Sequence, residues 1–174
     1  FQQSMASWKR IDQVLTENVE IADKSHTNQD IDTIEGSIEF KNVSFQYPDG
    51  EEYALKDVNL KVEAGQNAAI VGRTGSGKTT LVELVPRLFD VTEGEILVDG
   101  VNIKKIPLRL LRKNIGLVPQ DTFLFSDTIG ENIAFGTQDA SQQDIEEAAE
   151  KAQVRDNILD FEKKFETILG ERGI

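Results

Sequence analysis

The chain has 174 residues, of which 39% are hydrophobic and 29% charged, and it carries a formal net charge of -12 at pH 7. That length allows one domain with its own core, or a domain plus an extension, and the charge argues against binding to nucleic acid or anionic lipid. Zero cysteines exclude disulfides and thiolate metal sites, and no apolar run approaches the roughly 18 residues that span a bilayer.

Taken in chain order, residues 1–21 place Met5, Trp8, Ile11, Val14, Leu15 and Val19 at helical spacing, which predicts an amphipathic helix. Phe1 in place of Met carries the expectation that the chain is a piece of something longer. Residues 22–35 are polar and without period, a linker in which His26, lacking an orienting partner, reads as solvated. From Gly36 the period changes to two. Ile38, Phe40, Val43, Phe45 and Tyr47 predict a strand ending at the turn Pro48-Asp49-Gly50, and Leu55, Val58, Leu60 and Val62 continue the β pattern.

Asn67-Ala68-Ala69-Ile70-Val71 reads as a short buried strand, and Thr80 to Val85 as a helix. Between them, Gly72-Arg73-Thr74-Gly75-Ser76-Gly77-Lys78-Thr79 fits G-x-x-x-x-G-K-[ST] at every fixed position. A glycine-rich turn from strand to helix brings backbone N–H groups together on a phosphate, with help from the helix N-terminus. Lys78 then reaches terminal phosphates and the Thr79 hydroxyl a Mg²⁺ ion. The alternative, a plain surface turn, fits the flanking strand and helix poorly. Further on, Glu95–Val98 predicts a strand, Asp99-Gly100 a hairpin turn and Ile115–Val118 another buried strand closed by Pro119-Gln120. Thr128–Phe135 and Ser141–Gln153 predict helices, the second capped by Ser141 or Asp139. This order predicts an α/β fold, with the phosphate site at the carboxyl end of a central strand.

Together these motifs resemble the nucleotide-binding domain of an exporter-type ABC transporter. The resemblance rests on Phe45-Gln46-Tyr47-Pro48, about 25 residues ahead of the phosphate loop, Leu55-Lys56-Asp57-Val58-Asn59-Leu60, and Glu93 to Gly100. It continues through Ile115 to Gln120, and through Phe123 to Ile129 followed by Glu131-Asn132-Ile133. It covers residues 36–174 and implies a P-loop NTPase (RecA-like) core with an antiparallel β-subdomain and a partial helical subdomain. It makes residues 1–21 the end of a transmembrane-domain helix.

ATP contacts are implied at Tyr47, Ala54, Thr74, Gly75, Ser76, Gly77, Lys78, Thr79, Thr80 and Gln120, and Mg²⁺ contacts at Thr79 and Gln120. Tyr47 as a base-stacking face is worth roughly 1–3 kcal/mol; its competing reading is a half-buried strand tyrosine. Gln120 is a weak Mg²⁺ ligand or water-orienting amide, against an ordinary loop glutamine. Phe123, Leu124 and Phe125 either pack a helical subdomain or meet a membrane-domain helix. The implied partners are a transmembrane domain and a second nucleotide-binding domain, with this domain on the cytoplasmic face of a membrane.

Hydrolysis needs a second acidic Mg²⁺ ligand and a group to position water. Asp99, followed by Gly100 and another short strand, reads as a turn residue and not as that ligand. Leu169-Gly170-Glu171-Arg172-Gly173-Ile174 resembles the approach to the family's signature motif. The expectation is therefore a chain truncated before Walker B, with no catalytic residue and no turnover of its own. Two readings follow: part of an ATP-driven exporter, or a naturally truncated nucleotide-binding or interaction module. A GTPase or small-molecule kinase is weaker, because no Asn-Lys-x-Asp guanine reader occurs.

Overall fold

A computed structural model describes Trp8, Asp12 and residues 20–120, 123–137 and 139–170. Trp8 and Asp12 are helical, and Trp8 is exposed, whereas Glu20 and Ile21 form a bend; the other residues of the predicted N-terminal helix, and Glu171–Ile174, lie outside the described residues. Two compact units divide the chain at Leu117/Val118.

In the first unit, β1 (Ile38–Gln46), β2 (Tyr53–Val62), β3 (Glu93–Val98) and β4 (Val101–Asn102) form one antiparallel sheet in the order β2-β1-β3-β4. The apolar residues of β1 change parity, from Ile38 and Phe40 to Val43 and Phe45. A β-bulge absorbs the change: Asn42 takes a positive φ of 49° and the register shifts on both neighbouring strands. One added residue re-aims the following side chains, so Phe40, Val43 and Phe45 are all buried. At the β3–β4 turn, Asp99 (φ 51°) and Gly100 (φ 77°) both have positive φ, the pattern of a tight two-residue hairpin.

Helix α1 (Lys78–Leu84) lays Leu84 and Thr80 against this core, with Leu81 and Val85 at its margin. Helix α2 (Leu108–Lys113) adds Leu111, preceded by Ile103 and Ile106. Residues 22–37 have no regular structure, yet they are tied down. Ile31 and Ile34 pack against the core, Asp23 accepts from the Leu108 N–H at 2.9 Å, and Asn28 N–H donates to the Lys105 carbonyl at 2.7 Å. The Asp99 carboxylate accepts from the N–H groups of Glu35 (2.7 Å), Gly36 (3.0 Å) and Ser37 (2.8 Å).

Two strands expected from apolar runs do not form. Asn67–Val71 and Ile115–Val118 join no ladder, and Val71 is 93% and Val118 90% exposed. Apolar composition marks a segment that can be buried between strands, but pairing also requires neighbours, and none flank these segments among the described residues. The sheet of the described residues is wholly antiparallel, as the implied β-subdomain requires.

The second unit gathers Ile129, Ala149, Ile158 and Phe165 into a small core. Its helices are α3 (Ile129–Ala134), α4 (Gln142–Lys151) and α5 (Arg155–Leu159). Thr128 caps α3 by accepting from Glu131 N–H. Ser141, one of the two expected caps, closes a reciprocal capping box with Asp144 at the start of α4.

Candidate functional site

The phosphate loop runs exposed from Gly72 into α1. Gly75 (φ 79°) and Gly77 (φ 82°) are left-handed, and Gly77 is the N-cap of α1. A Cβ on Gly77 would stand 2.7 Å from the Ala54 carbonyl oxygen, and one on Gly72 would stand 2.6 Å from Ser76 Oγ. At Gly77 glycine is therefore required by dihedral angle and by close approach to a backbone carbonyl, whereas at Gly72 the neighbour is the movable Ser76 hydroxyl. Lys78 Nζ curls over the loop, donating to the carbonyls of Gly72 (3.0 Å) and Arg73 (2.7 Å). The Ser76 N–H bonds the Arg73 carbonyl at 3.2 Å, closing the turn. Thr79 is exposed at the start of the helix, whereas Thr80 points inward and is buried.

Tyr47 follows β1 and is half-buried. Its phenol lies 2.9 Å from Thr80 Oγ1 and 3.3 Å from the Glu83 carboxylate. The structure thus brings Tyr47, Ala54, Gly77 and Thr80 to one end of α1, next to Thr74, Gly75, Ser76, Lys78 and Thr79. Glu83 is the residue that sequence reasoning missed. Its three-residue spacing from Thr80, which sets both on one helix face, is the signal that was available.

Gln120 belongs to the second unit and is exposed. His26 is exposed, as its polar surroundings predict. Asp99, set aside as a metal ligand, holds backbone N–H groups instead. Burial pushes its carboxyl up, but the N–H groups of Ser37, Gly36 and Glu35 outweigh that and keep it below the ordinary 3.8. No cluster of metal-binding side chains occurs among the described residues, and none of their helices is long and apolar enough to cross a membrane. In the second unit, Phe123 and Phe125 pack edge to face at 4.9 Å, and Phe125 stacks on Phe135 at 4.2 Å. Phe123 and Phe135 nonetheless remain 75% and 70% exposed.

The glycines that only a close-packed loop requires, the loop lysine and the helix it opens define the class: a P-loop nucleotide-binding domain. Residues 55–168 match the ABC transporter family. The chain is 48% identical, over 172 residues, to "Putative multidrug export ATP-binding/permease protein YgaD" of Bacillus subtilis (strain 168), covering 99% of this chain and 30% of that protein. A Staphylococcus aureus (strain NCTC 8325 / PS 47) protein described in the same words is 47% identical over 146 residues, 84% of this chain and 25% of its own length. Among solved structures, "Structure of a bacterial Atm1-family ABC exporter with ATP bound" aligns with a TM-score of 0.87 and 35% identity, over 99% of this chain and 30% of that one. The chain belongs to the ABC transporter family, and its fold is that of the family's nucleotide-binding domain with its antiparallel sheet. It spans less than a third of the length of these relatives.

Proposed function

We propose that this chain binds MgATP as the nucleotide-grasping part of an ABC exporter, a longer protein that couples ATP hydrolysis to movement of a substrate across a membrane. The observation that carries the reading is the loop itself, in which left-handed Gly77 packs against the Ala54 carbonyl and opens α1, and Lys78 Nζ folds back over the carbonyls of Gly72 and Arg73. The relatives, an ATP-binding/permease protein and an ABC exporter with ATP bound, support it.

The residues fit the groups they would hold. Lys78 offers a point charge to the terminal phosphates, while backbone N–H groups of Thr74 to Thr79 supply donors without side-chain bulk. The Thr79 hydroxyl is a hard oxygen donor suited to Mg²⁺. Tyr47 offers a π-face to adenine, and Ala54 a backbone edge beside Gly77. Bound MgATP would supply a phosphoanhydride whose hydrolysis releases the free energy for transport. This chain's own residues neutralise charge and hold the nucleotide in place; the water-positioning acid that hydrolysis needs belongs to the longer protein.

That assignment is supported by an apolar groove of about 310 Å³ in the first unit, lined by residues including Phe40, Leu60, Ile70, Leu81 and Ile115. Further strands of the same domain would fill it. The exposed Phe123–Phe135 aromatic surface suits a transmembrane domain as partner, and a second nucleotide-binding domain completes the assembly, with this domain facing the cytoplasm. The test is phosphate release by the full-length protein in lipid vesicles. Turnover that stops when EDTA removes Mg²⁺ is expected. Tight ATP binding with no turnover would replace the exporter reading with a binding module.

A further inference from the structure

Tyr47 is held at its ring and at its hydroxyl by different parts of the first unit. Its ring stands nearly perpendicular to Phe45, at 4.8 Å and 79°, and to Phe89, at 5.3 Å and 85°. Such edge-to-face contacts fix a ring's plane better than undirected packing does. At the far end, a phenol has a single hydrogen. Donated to the Glu83 carboxylate, it leaves the phenolic oxygen to accept from the buried Thr80 hydroxyl. The result is a directed chain from Thr80 through Tyr47 to Glu83, whose last bond, at 3.3 Å, is the longer of the two. Both anchors sit on α1, the helix that opens with Lys78 and Thr79.

We propose that Glu83 is a positioning residue for nucleobase recognition. Acting through the Tyr47 phenol, it locks the ring to the helix that carries the phosphate loop. Base platform and phosphate cradle then form one preorganised body. A ring already fixed loses less freedom when a purine stacks on it, so the gain is in base-dependent affinity alone. This role rests on the reading of Tyr47 as the adenine platform. It also means that the hydroxyl of Tyr47, and not only its π-face, contributes to binding.

The test compares ATP with inorganic tripolyphosphate, which has the phosphates and no base, binding to the full-length protein. Glu83→Ala is expected to weaken ATP binding about threefold and Tyr47→Phe by a similar factor, the scale of one net hydrogen bond. Tripolyphosphate binding should change in neither variant. The double variant should lose no more than either single one, because both cut the same chain. Glu83→Gln, whose amide oxygen still accepts, should retain most of the affinity. Additive losses, a parallel loss of tripolyphosphate binding, or wild-type ATP affinity in Glu83→Ala would overturn the role. Tyr47→Ala separates this from the underlying reading: if it binds ATP as well as wild type does, the platform itself is wrong.

Discussion

At the scale of single residues, Asp99 shows how one carboxylate can be read two ways. Its place at the end of an apolar strand has the look of a metal ligand, but its bonds to three backbone N–H groups occupy it as a clasp for residues 35–37. Its native pKa lies below the ordinary 3.8, so folding favours the ionised form. That contribution is present above about pH 4 to 5 and is lost as pH falls through the native value. The expected outcome is that Asp99→Asn lowers the melting temperature at pH 7, and that the gap from wild type narrows as pH drops below about 4. An unchanged gap at pH 3 would show that the carboxylate's charge is not what holds the segment. The clasp was invisible in the sequence, because residues 35–37 and 99 lie far apart in the chain and backbone donors leave no compositional mark.

At the scale of elements, the exit of α1 depends on a buried charge. Arg87 follows the helix with a φ of 53° and is 1% exposed, its guanidinium bonding Asp90 at 2.8 and 3.3 Å. Burial pushes the Asp90 carboxyl up, but its bond to Arg87 and the charges of Arg87, Lys104 and Lys24 bring it below its ordinary value. The Arg87 Nη1 has no partner among the described residues, so the site already carries one desolvated donor. Asp90→Ala strands the whole guanidinium and should cost about 3 kcal/mol, whereas Arg87→Met with Asp90→Ala should recover much of that loss. Denaturation midpoints of the two variants would measure this, and a single variant no worse than the double would contradict it.

The sequence made part of this level legible. The parity change between Phe40 and Val43 marks the β1 bulge, Asp99-Gly100 marks a hairpin, and Ser141 with Asp144 marks a helix start. It misled at Asn67–Val71 and Ile115–Val118, where apolar runs of strand character have no partner strands beside them. Pairing is a property of neighbours, which a local pattern cannot contain. For the site, the turn at Gly75 and Gly77 was readable because left-handed backbone is a local geometric demand, while the roles of Lys78 and Tyr47 toward a nucleotide remain proposals. Glu83 was not singled out, because its contact with Tyr47 exists only once the end of β1 and α1 meet.

At the scale of the whole molecule, two units divide the labour. Residues 1–117 hold the sheet and the phosphate loop. Residues 118–174 carry thirteen Asp and Glu against five Lys and Arg, an acidic helical unit with exposed aromatic rings. The loop of the first unit is proposed to bind a nucleotide through its terminal phosphates. The most direct measurement is calorimetric binding of ATP and of AMP to the full-length protein and its Lys78→Ala variant. Removing the loop cation should weaken ATP binding at least about tenfold, since a charge-assisted phosphate contact is worth about 1.5–3 kcal/mol, and should barely alter AMP binding. Equal losses for both nucleotides, or none for either, would place Lys78 outside the phosphate cradle and contradict the account.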